Sequence, residues 1–146
     1  HAISNDQPTA QAMRPAMTIP FWCLLIVILL PYAATVLSVR HRKEQFGGFD
    51  NRFSRLQGQR LEGKGALVWA AHQNALEARA TFIAAVVVAH LAGADAQISA
   101  GLAVVFVVLR VLHMIVHVGD MATARSIVFG LSMLCCLLLF ASAALA

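Results

Sequence analysis

Four long apolar stretches place the strongest constraint on how this 146-residue chain can fold. A helix needs about 20 residues to cross the hydrocarbon core of a bilayer. Four runs reach that length: residues 17–39, 66–92, 96–118 and 123–144. The chain is also 60% hydrophobic and only 12% charged, whereas about a quarter of the residues in a soluble domain are charged. These features predict an integral membrane protein.

The apolar runs also predict the fold class. A backbone in lipid must satisfy its own hydrogen bonds, which leaves helices or a closed barrel, and these runs lack the alternating pattern of barrel strands. We therefore predict an all-α, four-helix transmembrane domain over residues 17–146, with a loop at about 40–65. Residues 1–16 are polar and begin without Met, so we predict an artificial remnant or a disordered N-terminal tail.

Positive charge is concentrated in the loop between the first two runs. This loop contains seven of the eleven Lys and Arg residues, whereas the loop after the second run, "GADAQ", contains none. The positive-inside rule therefore predicts a cytoplasmic long loop and both termini outside. The net charge of +4 follows from this topology, and no aromatic-basic repeat indicates a nucleic-acid partner.

The same loop carries a short apolar pattern. Phe46, Phe49, Phe53 and Leu56 recur at spacings of three, four and three residues. That spacing predicts one face of a short helix on the membrane surface. A partly mobile loop with scattered apolar residues remains equally open, and the pair Gly47–Gly48 favours an irregular start.

The three cysteines all lie inside apolar runs, at Cys23, Cys135 and Cys136. Their spacing matches neither a disulfide framework nor a zinc site. We predict that they are small buried side chains, and we predict no metal site.

Several polar residues interrupt the second and third runs. Arg110, His113 and His117 are spaced by three and four residues, so they share one helix face. With a rise of 1.5 Å per residue, Asn74 and Arg110 each lie about 12 Å from the cytoplasmic side. Arg125 lies just inside the membrane at the start of the fourth run. Ionisable residues inside a membrane indicate a functional site and usually form pairs.

Glu77 and Arg110 are the expected ion pair in this cluster. One buried pair that merely orients two helices is an alternative explanation for these two residues. The remaining polar groups at the same depth favour a ligand site, and the excess of cations favours an anionic ligand.

Two motifs resemble the MAPEG family, the membrane-associated proteins in eicosanoid and glutathione metabolism, of bacterial type. "AAHQNALE", residues 70–77, resembles the second-helix signature of the family, and "RVLHMIVHVGDMATARS", residues 110–126, resembles its third helix, short turn and fourth-helix start. The resemblance implies a homotrimer of four-helix subunits in contact with membrane lipid, expected in a bacterial inner membrane. Glutathione, as co-substrate, would bind between neighbouring subunits near the cytoplasm.

The resemblance also implies the site residues. Arg125 would lie beside the glutathione sulfur as the catalytic group. The implied binding residues are Arg40, Gln73, Asn74, Glu77, Arg110, His113, His117 and Ser126. The sequence departs from the family at Ala70, where the family has arginine, and at His117 and Phe129, which lie at or near expected tyrosines.

Two functions remain open at this point. The first is a glutathione-dependent transferase or peroxidase that acts on lipophilic electrophiles or lipid hydroperoxides, with Arg125 stabilising the thiolate. The second is a non-catalytic protein of the same type that binds a lipid or another small anion, which the departures at Ala70 and Phe129 favour. A proton or ion carrier is a distant third possibility, because no polar face runs the full length of any span.

Overall fold

A computed structural model describes residues 17–146, and every regular element in that range is helical. The elements are α1 (Ile19–Phe46), α2 (Ser54–Gln59), α3 (Gly63–Ala92), α4 (Ala96–Val118) and α5 (Ala122–Ala144). All except α2 are long and apolar enough to cross a membrane. This confirms the predicted four-helix membrane domain, while the predicted tail of residues 1–16 lies outside the described residues.

The ends of the long helices follow local sequence signals. Asp95 caps α4, because its carboxylate accepts hydrogen bonds from the backbone amides of Gln97 at 2.9 Å and Ile98 at 2.8 Å. Gly93 ends α3 with φ +76° and Gly47 ends α1 with φ +78°, a conformation that glycine adopts at low cost. Helix α1 therefore continues seven residues beyond the predicted end of the first span.

Helix α3 packs against each of the other four helices. Ala71, Ala75, Ala85 and Ala89 are all buried and allow neighbouring helices to approach closely. The core contains the stacked rings of Phe82 and Phe106, whose centroids are 4.0 Å apart. The three cysteines are buried and unpaired, as predicted.

Large apolar side chains cover the outside of the bundle. Val36, Leu91, Val108 and Ile115 are each at least 60% exposed. A surface of this kind suits lipid rather than water, because monomeric soluble proteins rarely expose large contiguous apolar patches. Together with the four spanning helices, it identifies an integral membrane protein in contact with lipid.

The loop between α1 and α3 defines what we call the loop end of the bundle. Its helix α2 has only six residues, so the predicted helical face through Phe46, Phe49, Phe53 and Leu56 is wrong. Phe46 ends α1, Phe49 lies in irregular chain, and Phe53 precedes α2. Competing hydrogen bonds explain the difference, since the side chain of Asp50 accepts from the amides of Arg52 and Phe53 and holds this stretch in a turn.

Arg42, which is 1% exposed, fastens this loop to the bundle. Its guanidinium donates to the carbonyl of Ser54 at 2.7 Å, to Oε1 of Gln57 at 3.0 Å and to Oγ of Ser38 at 3.1 Å. It also lies 5.6 Å from the ring centroid of Trp69 on α3. A buried cation with this many partners holds α2 in one position above the bundle.

Candidate functional site

A cleft of about 300 Å³ opens on one side of the bundle, in the half near the loop end. Helices α3, α4 and α5 each contribute polar side chains to it. The lining residues are Asn74, His113, His117, Arg125, Ser126 and Phe129. Among the described residues that line the cleft, none is acidic, so its charge is positive or neutral.

Arg110 lies behind the cleft and holds Asn74 in place. The guanidinium, 2% exposed, donates from Nη2 to the side-chain Oδ1 of Asn74 and, at 3.3 Å, to the main-chain oxygen of the same residue. Its Nη1 is buried without a hydrogen-bond partner in residues 17–146. Arg110 is not among the lining residues, so it positions Asn74 from behind the cleft.

The two histidines of α4 follow Arg110 at the predicted spacing and share its face. His113 is 2% exposed and His117 is 7% exposed, and their rings meet edge to face with centroids 5.3 Å apart. Within the described part of the chain, Nδ1 of His117 is buried and unpartnered. His117 lines the cleft, while this nitrogen itself is shielded from the surface.

Helix α5 begins beside the cleft and supplies the arginine that lines it. Arg125 is partly buried there, one residue before Ser126, whose hydroxyl donates to the carbonyl of Ala122 at 3.2 Å. Phe129 lies one turn further along α5, with its ring 6.3 Å from that of His113. The short turn between α4 and α5 is what brings Arg125 back to the level of His117.

The expected ion pair between Glu77 and Arg110 is not formed within the subunit, where Asn74 takes the position of the partner. Residues three apart on a helix differ by about 60° around its axis. With Asn74 directed at α4, Glu77 is turned towards the outside of the bundle and is exposed. The sequence predicted similar depths for the two side chains but could not predict the rotation of α3.

Two further candidate residues also lie outside the cleft of their own subunit. Arg40 is on the exposed loop end of α1, with its side chain 83% exposed and its Nε 2.7 Å from Oε1 of Glu44. Gln73 is exposed on the other side of α3. Arg40, Gln73 and Glu77 can contribute to a ligand site only if they reach the cleft of a neighbouring subunit. Their assignment to such a site stays a prediction.

Gln73 instead lines a groove of about 560 Å³ between α1 and α3, together with Arg55, His72 and Arg79. His72 connects two helices, because its Nδ1 lies 2.9 Å from the carbonyl oxygen of Pro31 on α1. Sequence reasoning had no explanation for Arg79. It also did not predict that Arg42 is buried. The only indication in the sequence was Ser38, one helical turn earlier, whose hydroxyl accepts a hydrogen bond from Arg42.

Comparison with known proteins gives one match. The MAPEG family model matches residues 19–145, which is nearly the whole chain. No curated protein and no solved structure matches it. The matched region includes every element that lines the cleft.

Proposed function

Because the chain belongs to the MAPEG family, we propose that it is a glutathione-dependent transferase or peroxidase that acts on lipophilic electrophiles or lipid hydroperoxides. The observation that carries this proposal is the cleft itself, which Arg125, His117 and Asn74 line together and which has no acidic residue among its described lining. Glutathione has two carboxylates, one ammonium group and a thiol, so it is anionic at neutral pH. A cleft with an arginine and no acidic residue among its described lining suits such a ligand.

The chemistry assigned to Arg125 is stabilisation of the thiolate. A free thiol has a pKa near 8.5, so at neutral pH most of it is protonated and unreactive. Arginine stays protonated in proteins, and a fixed positive charge beside the sulfur favours the thiolate. In transfer to an aryl halide, the thiolate forms a carbon–sulfur bond and halide leaves. In peroxide reduction, two glutathione molecules give the disulfide while the hydroperoxide becomes an alcohol and water.

Asn74, His113 and Ser126 would orient glutathione in the cleft. Arg110 would act indirectly, by holding the side chain of Asn74 in position. The remaining candidates, Arg40, Gln73, Glu77, would reach the cleft of a neighbouring subunit. We therefore propose that the protein works as a homotrimer with sites between subunits. The exposed carboxylate of Glu77 supports this assembly. A charge that faces lipid costs free energy, and a neighbouring subunit would cover it.

The proposed orientation places the loop end in the cytoplasm of a bacterial inner membrane, with both termini outside. It rests on the positive residues of the long loop. In this orientation the cleft opens in the cytoplasmic half of the bilayer, so a soluble thiol reaches it from the cytoplasm and an apolar co-substrate reaches it through the lipid.

The second candidate function is non-catalytic binding of a lipid or another small anion. Phe129 at the cleft, 40% exposed, favours it, because a phenylalanine provides no hydroxyl to a glutathione carboxylate or thiol. Ala70 likewise offers no charge where the family has arginine.

The decisive experiment combines binding and turnover. Calorimetry would measure glutathione binding to the purified full-length protein, and thiol consumption would be followed with a lipophilic aryl halide and with a lipid hydroperoxide. We expect binding, together with a rate above background for at least one co-substrate. No binding and no rate would exclude the enzyme. Protection against thermal unfolding by lipid alone, without protection by glutathione, would support the second candidate.

A further inference from the structure

The opposite end of the bundle, where α3 turns into α4, contains a separate cavity of about 260 Å³. Val86, Ala89 and Leu139, each no more than 2% exposed, line it and also belong to the hydrophobic core. Ala89 lies fifteen residues beyond Asn74 on α3, which at 1.5 Å per residue is about 22 Å. The cavity is therefore distinct from the cleft of the proposed function.

Ser99 provides the buried polar side chain of this cavity, whose other polar lining side chains, Thr18 and His90, are exposed. The residue is 8% exposed, lines the cavity, and has a buried Oγ with no hydrogen-bond partner among residues 17–146. The other serines of the four long helices behave differently, because each donates to a carbonyl three or four residues earlier in its own helix. These are Ser38, Ser126, Ser132 and Ser142.

The lining offers little to a charged molecule. No lysine, arginine, aspartate or glutamate of the described chain lines the cavity, and His90 is its one titratable side chain. The imidazole of His90 packs edge to face against Phe21, with ring centroids 4.8 Å apart. His90 is exposed whereas Ser99 is buried, so an occupant would meet one aromatic pair near the surface and one hydroxyl at depth.

We propose that this cavity binds a small neutral amphiphile, a compact apolar molecule with a single hydroxyl group that pairs with Ser99. An apolar cavity of about 150 Å³ holds one benzene molecule, so this cavity takes about ten non-hydrogen atoms. A single-ring alkylphenol has that size. Its ring contacts Val86, Ala89 and Leu139, and its hydroxyl accepts from or donates to Oγ of Ser99.

Two other occupants fit the size and the hydrogen-bonding groups of the cavity less well. A lipid acyl chain would fill the apolar part but would leave the hydroxyl of Ser99 unpaired, which costs free energy in a buried site. Water could pair with Ser99, but each buried water needs two to four polar partners. The cavity has room for several waters and too few polar groups for them.

The test uses a shape-matched pair of probes, 4-ethylphenol and 4-ethyltoluene, on the full-length protein in detergent. An Ala94→Cys variant places a thiol in the lining, and the rate of its reaction with N-ethylmaleimide, located by mass spectrometry, reports occupancy. Background reaction is slow because the native cysteines are no more than 5% exposed. If Ala94→Cys fails to fold, Thr18→Cys at the same cavity replaces it.

We expect 4-ethylphenol to slow the labelling. Adding Ser99→Ala should raise the concentration for half-protection by about three- to tenfold, the value of one neutral hydrogen bond. The same change should leave half-protection by 4-ethyltoluene within about twofold. Each probe is compared only between the proteins with and without Ser99→Ala, so differences between the probes in partitioning into detergent do not affect the result. Ser142→Ala is the matched control, because it removes a partly buried hydroxyl at the same end of the bundle that does not line the cavity.

Two results would overturn the proposal. One is labelling that 4-ethylphenol does not slow at any concentration that leaves the protein folded. The other is half-protection by 4-ethylphenol that Ser99→Ala leaves unchanged, which would show that the probe enters without pairing to Ser99. Neither result bears on glutathione binding at the cleft, so the two proposals can fail separately.

Discussion

Arg110 on α4 and Asn74 on α3 are joined by a hydrogen bond from the guanidinium Nη2 to the amide Oδ1. This contact connects the two helices at the back of the cleft and turns the side chain of Asn74 towards α4. Another nitrogen of the same guanidinium, Nη1, is buried and unpartnered within residues 17–146. The pair therefore connects α3 and α4 directly behind the residues that line the candidate site.

The first prediction concerns the stability of this pair. Asn74→Ala should lower the free energy of unfolding by about 1.5–3 kcal/mol, because it removes a hydrogen bond to a buried charged group. Denaturant titration in mixed micelles would measure this. Gln73→Ala, at the neighbouring exposed position, should stay within about 0.5 kcal/mol of the unsubstituted protein. A double-mutant cycle with Arg110→Met should be non-additive, and strict additivity would contradict the contact.

The second prediction concerns the thiolate and rests on the proposed enzyme. Arg125→Ala should lose most of its turnover near pH 7 and recover partly as the pH rises towards the free thiol pKa near 8.5. The reason is that the guanidinium no longer favours the thiolate. Arg125→Lys should restore less turnover than its positive charge alone implies, because the ammonium group of lysine cannot present the planar set of donors of a guanidinium. A pH–rate profile in which Arg125→Ala falls by the same factor at every pH would exclude this role.

The third prediction concerns the packing of the loop. A Cβ added to Gly58 would lie 2.6 Å from two ring carbons of Trp69 and 2.8 Å from Nη2 of Arg42. Gly58→Ala should therefore destabilise the protein by about 1–3 kcal/mol through overpacking. It should also accelerate tryptic cleavage at Arg52 and Arg55. Gly101→Ala on α4 is the control, since no atom lies within 4 Å of its Cβ position, and equal effects of the two substitutions would refute the packing argument.

The fourth prediction is the trimer. Glu77 is exposed on α3 within the part of the helix that crosses the membrane, where a carboxylate facing lipid is costly. Native mass spectrometry should detect a trimer, and Glu77→Ala should lower its fraction. Asn51→Ala, in the exposed loop, should leave the trimer unchanged. A cross-linking ladder that ends at the dimer would rule out this assembly.

The fifth prediction is the orientation in the membrane. A cysteine at Asn51, exposed in the long loop, should be protected from an impermeant thiol reagent added to intact cells. A cysteine at Gln97, exposed at the start of α4, should react. Both should react after the membrane is permeabilised. Labelling of position 51 in intact cells would reverse the proposed topology.

The sequence by itself determined the membrane class, the number of spanning helices and most of their ends. Spanning length and low charge reflect the thickness and low polarity of a bilayer, which act on each segment separately. The bounds predicted for α4 agree with the structure, and α3 and α5 begin within three residues of their predicted starts. The face shared by Arg110, His113 and His117 likewise follows from helical spacing alone.

Only the tertiary structure decided which polar groups meet. The partner of Arg110 depends on the rotation of α3 about its axis, and that rotation is set by the packing of Ala71, Ala75, Ala85 and Ala89 against neighbouring helices. Asn74 and Glu77 have almost the same depth but differ by about 60° around the helix. Depth can be counted along a sequence, whereas rotation results from contacts between helices that are distant along the chain.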